Sequence, residues 1–374
     1  MSTARLLERI RRAQARMTEL DVDVLLLSVG PDLPYLTGYE AMPLERLTML
    51  VLPAEGDASL VVPRLEAPRV VERPDAFDIV TWNETDDPIS LVASLARGPI
   101  TAAIGDRTWA RFVVDLQATM PSTHFRKGSE VMGPLRAVKD AAEIAVLRRA
   151  AAAADRVAVQ LQSGEIPLVG RTEAEVSADI GGRLIAEGHH RVNFAIVGSG
   201  SNAASPHHDA SDRVIEAGDI VLCDFGGSMH GPDGVGYCSD ITRCVIAGGV
   251  EPSAELRDLY TILHEAQRAA VAAAVVGTPC EDVDALARRI IDEGGYGDHF
   301  IHRTGHGIGI EEHEEPYIVG GNCTALEPGH AFSVEPGIYI DGQWGARLED
   351  IVVAAESGPD PLNEVDHGLV VVDA

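Results

Sequence analysis

Apolar and polar positions along the first third of the chain follow two periods in turn. A helical pattern over residues 4–20 gives way to short aliphatic and β-branched runs at 22–28, 48–52, 60–62, 79–82 and 100–104. Short helical patterns separate these runs, which predicts an α/β domain. Residues 127–134, Lys-Gly-Ser-Glu-Val-Met-Gly-Pro, are polar and contain Gly and Pro, and a long helical pattern opens near Lys139. The domain boundary is expected there, with residues 1–133 forming the first domain and 134–374 the second.

From Lys139 onward one pattern occurs twice: helix, helix, strand pair. In the first copy residues 141–162 read as a long Ala-rich helix, and Thr172-Glu-Ala-Glu175 reads as the capping box that opens a second one. In the second copy residues 254–275 are the long helix. Thr278-Pro-Cys-Glu281 reads as another capping box, with Pro279 at the first helical position, where its missing N–H costs nothing. Strand-like runs follow each helix pair, at 219–227 and 237–247 joined through 230–236, and at 330–340 and 346–355 joined through Asp341-Gly342. Both read as hairpins, and the repetition predicts a pseudo-symmetric fold with its site at the repeat interface.

Composition narrows the function classes. The chain has 374 residues, 45% of them hydrophobic, enough to build real cores. Lys and Arg number 30 against 58 Asp and Glu, a net charge of −28, whose field repels phosphate and argues against nucleic-acid or anionic-membrane partners. Lys127 and Lys139 are the only lysines, which disfavours Schiff-base chemistry. The five cysteines form no CxxC pair, the Arg-rich N-terminus has no signal-peptide core, and no run approaches the length of a membrane span. A cytoplasmic protein is expected.

The chemistry emerges from the hairpins. Asp224 and Asp240 lie eight residues either side of Pro232, so a loop centred there sets them directly opposite on adjacent antiparallel strands. Glu335 and Glu349 lie seven residues either side of Gly342 and are expected to face each other likewise. Four carboxylates converging among Val221, Leu222, Phe225, Phe332, Val334 and Ile351 need cationic neutralisation. Arg243 and Arg347 are too few for that, whereas two divalent ions suffice. The segment from His302 to His313 holds three histidines, and glycines flank His306, allowing close approach at a crowded centre. Its Gly-Xaa-Gly pattern precedes neither a Lys-Ser/Thr pair nor a helix, so a nucleotide loop is rejected.

The motifs Leu222-Cys-Asp-Phe-Gly226, Ser239-Asp-Ile-Thr-Arg243, His302-Arg-Thr-Gly-His-Gly-Ile-Gly309, His313-Glu-Glu-Pro316, Val334-Glu-Pro-Gly-Ile-Tyr339 and Arg347-Leu-Glu-Asp350 resemble those of the pita-bread metallopeptidases, the M24 group of methionine aminopeptidase, aminopeptidase P and prolidase. The resemblance extends from about Arg136 to the C-terminus. It reaches more loosely into the first 130 or so residues, where Tyr35-Leu-Thr-Gly38 is similar to a phrase of the creatinase/prolidase N-terminal domain. It implies an α/β N-terminal domain followed by an α+β pita-bread catalytic domain with a pseudo-two-fold helix–helix–hairpin repeat.

The same resemblance implies Asp224, Asp240, His306, Glu335 and Glu349 as ligands of two divalent ions. The oxygen-rich set favours Mn²⁺ or Co²⁺, with Fe²⁺ or Zn²⁺ as alternatives. It further implies Glu335 as general base, His207 and His313 as catalytic hydrogen-bonding groups, and His207, His302, His313 and Arg347 as substrate-binding residues. The implied activity is hydrolysis of Xaa-Pro dipeptides or short peptides by a metal-bridging hydroxide, in a homodimer. The first domain favours the proline-directed branch over methionine aminopeptidase. Some dipeptidases of that branch carry an arginine where this chain has Tyr317, which leaves dipeptidase and aminopeptidase P open; Arg303 or a partner's arginine is the substitute considered. Two other readings are a metal-dependent hydrolase or lyase of a non-peptide small molecule, and a non-catalytic peptide-binding module.

Overall fold

Residues Thr3–Glu19 form helix α1, buried along Leu6, Ile10, Ala13 and Met17, and open a computed structural model that describes residues 3–231 and 234–374. The chain divides into two units. One runs to Arg136 and includes Gly231–Val235; the other comprises Ala137–His230 and Gly236–Ala374.

In the first unit, α1 is followed by β1 (Val24–Leu27), α2 (Asp32–Thr37), β2 (Met49–Pro53), β3 (Ala58–Pro63), β4 (Phe77–Trp82), α3 (Pro88–Ala96), β5 (Thr101–Ile104), α4 (Ala110–Thr119), β6 (His124–Lys127) and α5 (Ser129–Ala137). The strands form one mixed sheet in the order β4-β3-β2-β1-β5-β6. All four residues of β1 are buried, as an unbroken aliphatic run in a central strand must be. Each of the five anticipated runs is a strand. The sixth, β6, was not anticipated, because His124-Phe-Arg-Lys127 has no apolar run and pairs on one side only, parallel to β5.

The stretch at 127–134, where the domain boundary was expected, is largely helical. Residues Ser129–Ala137 are helical, and Val131, Met132 and Leu135 bury an apolar stripe that the flanking Gly and Pro obscure.

The second unit begins with α6 (Ala141–Gln162), α7 (Glu173–Ala186), β7 (Arg191–Ser199), β8 (Ile220–His230), β9 (Gly236–Cys238) and β10 (Ile241–Ile246). A second series follows: α8 (Ala254–Ala273), α9 (Cys280–Glu293), β11 (Gly305–Gly307), β12 (Glu314–Ile318), β13 (Ala331–Val334), β14 (Gly337–Ile340), β15 (Trp344–Arg347) and β16 (Asp350–Ala355), then β17 (Gly358–Pro361) and β18 (Val370–Val371). The sheets run β18-β10-β8-β7, with β9 beside β8, and β12-β11-β13-β16-β17, with β14-β15 as a separate ribbon. Helix, helix, sheet therefore occurs twice, with β7 an additional strand in the first copy.

Side-chain alternation along β8 sorts its residues between two cores. Val221, Cys223 and Phe225 pack with Leu161, Val176, Ile180 and Leu184 of α6 and α7. Ile220 and Leu222 pack with α8, α9 and residues Phe332, Val334 and Val352 of the other sheet. Asp224 shares the parity of Ile220 and Leu222, and so points toward that second core.

The helix starts differ in one respect from expectation. At α7 the box forms as read: Thr172 Oγ1 accepts from the Glu175 N–H at 3.2 Å and Glu175 Oε2 accepts from the Thr172 N–H at 2.9 Å. At α9 no side chain caps the helix, and Pro279 occupies the N-cap rather than the first helical position. The free N–H groups are met by backbone instead, Cys280 donating to the Thr324 carbonyl and Glu281 to that of Asn322. Among the described residues no helix is long and apolar enough to cross a membrane.

Candidate metal centre

The first pair of acids is set by the ladder between β8 and β10, in which Asp224 faces Thr242 and Phe225 faces Ile241. The Ser239 N–H donates to the Gly227 carbonyl, so Asp240 falls beside Gly226, one residue before β10 begins. The two aspartates are thus diagonal neighbours, not directly opposite as the symmetric spacing predicted. The register differs by two residues, and a shift of two preserves the face, so both carboxylates still converge. Pro232, the expected loop centre, lies outside the described residues. Glycine is required at 226: a Cβ there would meet the Ser239 carbonyl oxygen at 2.1 Å.

For the second pair the predicted centre holds. Ala331↔Val353 and Gly337↔Arg347 are each equidistant from Gly342. Glu335 and Glu349 occupy matching positions in the gap between these two ladders, where neither is tied into a strand pair with the other. The backbone of Glu349 bridges Thr242 instead, which brings it to the first sheet.

His306 is the middle residue of β11. Its Nδ1 lies 3.1 Å from the Gly307 carbonyl, which can only accept, so in the neutral ring Nδ1 carries the proton and Nε2 presents a lone pair. That Nε2 is 3.1 Å from Glu335 Oε1 and 3.8 Å from Asp240 Oδ2. Donor atoms of Asp240, His306 and Glu349 all lie within 4.8 Å of one another. The Thr304 N–H and Oγ1 both donate to Asp284 Oδ1, at 3.0 and 2.7 Å, which anchors the approach to His306 on α9.

Arg347 links the acids. Its NH2 group donates to Asp224 Oδ2 at 2.5 Å, Nε to Thr242 Oγ1 at 3.0 Å, and NH1 to the Tyr339 hydroxyl at 2.8 Å and the Pro206 carbonyl at 3.3 Å. The Thr242 hydroxyl in turn donates a hydrogen bond to Glu349 Oε2 at 2.7 Å. Arg347, expected among the substrate-binding residues, is buried, and each of its three nitrogens has a protein partner. Tyr339 extends the chain to His302, whose Nε2 is 2.9 Å from the tyrosine oxygen and whose Nδ1 is 2.7 Å from the Arg303 carbonyl.

The charge balance is poor without a cation. Burial raises the proton affinity of Asp224, Asp240 and Glu349, and neighbouring carboxylates raise it further, with Arg347 working against them. Burial pushes Glu335 the same way, but with no metal on His306 a hydrogen bond donated from its Nε2, together with the nearby charges of His306, His302 and Arg347, holds Glu335 at about 2. Among the described residues, Asp224 Oδ1 and Asp240 Oδ1 are buried without any hydrogen-bond donor. Buried carboxylate oxygens of this kind are stabilised by a metal ion, so the donor set fits hard divalent cations.

His313 stands with its ring centroid 4.0 Å from that of His306. Burial, followed by His306 and Arg303, pushes it down to about 4, so it is neutral at pH 7. His207 follows Pro206 and is a neighbour of both His302 and His313. The loop around it is held by a residue that sequence reasoning missed. Fully buried Glu173 accepts from the Ser199 N–H at 2.8 Å, from Ser211 Oγ at 2.6 Å and from Asn202, and lies 2.7 Å from His208 Nε2. Its only sequence signal was a position at the start of a capped helix.

Comparison with known proteins places this geometry among relatives. A family model described as metallopeptidase family M24 matches residues 145–356, and one described as the creatinase/prolidase N-terminal domain matches residues 9–138. The chain is 44% identical over 368 residues to a probable dipeptidase PepE of Mycobacterium tuberculosis, covering 97% of this chain and 96% of that protein. It is 34% identical to an Xaa-Pro dipeptidase of Lactobacillus delbrueckii subsp. lactis, covering 96% and 98%. Among solved structures, a recombinant prolidase from Thermococcus sibiricus matches with a TM-score of 0.91 at 36% identity, covering 100% of each chain.

Proposed function

The chain belongs to metallopeptidase family M24, and from that premise we propose that it hydrolyses Xaa-Pro bonds in dipeptides and short peptides. The observation that carries this reading is the convergence of Asp240, Glu335 and Glu349 on the Nε2 side of His306, with Asp224 beside Asp240 and, among the described residues, two buried carboxylate oxygens lacking any donor. Asp224, Asp240, His306, Glu335 and Glu349 would hold two divalent ions, and the hard donor set favours Mn²⁺ or Co²⁺ over Fe²⁺ or Zn²⁺. Bound there, such ions supply a water activated at neutral pH and a Lewis acid for the scissile carbonyl.

The protein's own groups divide the remaining work. Glu335, ionised and oriented by the Ser333 hydroxyl at 3.1 Å, takes the proton of the attacking water. Neutral His313, with His207, hydrogen-bonds the developing oxyanion or the leaving nitrogen. A proline nitrogen has no N–H before cleavage and must gain a proton, so histidines on that side suit it. Arg347 balances Asp224 and, through Thr242 and Tyr339, orients Glu349 and His302. The names of the relatives favour the dipeptide over longer substrates. A reducing, cytoplasmic setting suits five unpaired cysteines, and a homodimer completes the reading, to be checked by sedimentation.

The test is hydrolysis of an Xaa-Pro dipeptide and an Xaa-Pro-Xaa tripeptide by metal-stripped protein with and without Mn²⁺ or Co²⁺. Metal-dependent cleavage of the dipeptide is expected. Cleavage of the tripeptide alone would move the assignment to aminopeptidase P. Cleavage of neither, with two ions bound, would transfer the scaffold to a non-peptide substrate.

A further inference from the structure

Helix α9 buries Cys280, Val283, Ala287 and Ile291 along one stripe, and the same stripe includes a carboxylate, Asp284. An apolar residue would serve packing there, and a buried carboxylate is costly unless its oxygens are hydrogen-bonded. Asp284 divides its two oxygens between separate parts of the chain. Oδ1 accepts from the N–H and the hydroxyl of Thr304, itself fully buried, at 3.0 and 2.7 Å. Oδ2 accepts from the Gly320 N–H at 3.1 Å and from Arg288 Nε at 2.7 Å. Arg288, one turn along the helix and stacked over the Phe300 ring, donates onward to the carbonyls of Phe300, at 3.1 Å, and His302. The pair thus grips the chain both before β11 and after β12.

Thr304 carries this grip to the centre. Its N–H is shared with the Ile318 carbonyl at 3.1 Å, and its own carbonyl accepts from the Glu335 N–H at 2.8 Å. His306 stands two residues further on, and its N–H donates to Ser333 Oγ at 3.0 Å, the hydroxyl that also donates to Glu335 Oε1 at 3.1 Å. One residue is therefore tied through the chain to one member of the centre and through a hydrogen bond to the backbone of another. Little slack separates the strands involved. A Cβ at Gly305 would meet the Ser333 carbonyl oxygen at 1.8 Å, so β11 and β13 are in close contact and a displacement of Thr304 is passed to both.

Resting on the metal-dependent reading above, we propose that Asp284 is a positioning residue of the metal centre, setting through Thr304 the relative placement of His306 and Glu335 and with it ion affinity and turnover. Two accepting oxygens are needed for this. Asparagine keeps one and turns an amide N–H₂ toward either Thr304 or the donors of Gly320 and Arg288, so it cannot hold both. Groups that orient the ligands of a metal are worth about 10- to 100-fold in affinity or activity, and the effect falls on turnover more than on substrate binding because the displaced groups surround the reacting atoms.

The experiment measures Mn²⁺ affinity by calorimetry, the visible absorption of the Co²⁺-loaded protein, and kcat and KM for Ala-Pro at saturating Mn²⁺, together with Tm of the metal-free form. In D284N, Mn²⁺ binding weakens about tenfold, the Co²⁺ spectrum shifts, and kcat falls about tenfold with KM nearly unchanged. T304V, which keeps the backbone N–H but lacks the hydroxyl, moves the same readouts by about threefold, and T304S, which keeps both donors, restores them. A D284N protein with a lower Tm but wild-type Mn²⁺ affinity, Co²⁺ spectrum and kcat overturns the proposal, since a residue that only packs would behave in that way. If D284N does not fold, T304V against T304S decides, and equal values for the two overturn it. A wild-type chain that binds two Mn²⁺ ions without cleaving Ala-Pro overturns the Xaa-Pro reading and leaves the affinity and spectral comparisons to decide the role of Asp284. One that binds no Mn²⁺ overturns the metal centre and this proposal with it.

Discussion

Glu173 shows how far a single buried carboxylate can organise a site it does not enter. Burial opposes its ionisation, yet donors from Ser211, Ser199 and His208 outweigh that and bring it from the ordinary value of 4.5 to about 2. The folded value lies below the unfolded one, so the contribution is complete above about pH 4.5 and is lost as pH falls toward 2. At 1.36 kcal/mol per pK unit it amounts to about 3 kcal/mol. Glu173→Gln is expected to lose stability of that order at pH 7 in urea titrations, and to show a flatter stability profile between pH 5 and 2. A variant whose acid limb matches the wild-type slope would remove this account. At this scale the convergence of acids beside His306 was legible, because their spacing and glycine neighbours are local features. Glu173 was not, because it matters through contacts with Ser199, Ser211 and His208 that no local pattern records.

Helix starts carry the element-scale lesson. Two segments with the same box chemistry, at Thr172 and Thr278, behave differently because Pro279 takes the N-cap and leaves the threonine hydroxyl one position too early. Loss of a working cap costs about 1 kcal/mol. Thr172→Ala is therefore expected to destabilise by about that amount in denaturant titrations, and Thr278→Ala by less than about 0.5 kcal/mol. Equal costs would mean that both threonines cap. Strands followed a similar rule. Runs of aliphatic residues were readable, whereas β6 and β7, interrupted by His124, Arg126, Arg191 and Asn193, take their order from the neighbours they pair with. The register of the Asp224 strand belongs here too, since a hairpin's turn decides it and a two-residue difference leaves the hydrophobic alternation unchanged.

Over the whole molecule, the candidate metal centre joins the two halves of the repeat. Asp224 and Asp240 come from the first helix–helix–sheet copy, and His306, Glu335 and Glu349 from the second. In the metal-free protein these acids repel one another in a buried space. Asp240→Asn should therefore leave the metal-free protein as stable as the wild type or more so, while abolishing the rise in Tm that Mn²⁺ produces. Thermal melts with and without Mn²⁺ decide this. A variant that is less stable without metal yet keeps the full Mn²⁺ response would show that Asp240 is structural rather than a ligand.

By itself, the sequence determined the fold class, the doubled helix–helix–strand pattern and the residue types that converge, because periodicity, caps and turn glycines act over a few neighbours. Only the tertiary structure decided which acids stand diagonal and which sit in a gap between ladders. It also decided that Arg347 pairs with Asp224 and reaches Thr242 and Tyr339. Each of those outcomes depends on groups brought together from distant parts of the chain, where burial and charge set the energies and sequence distance sets nothing.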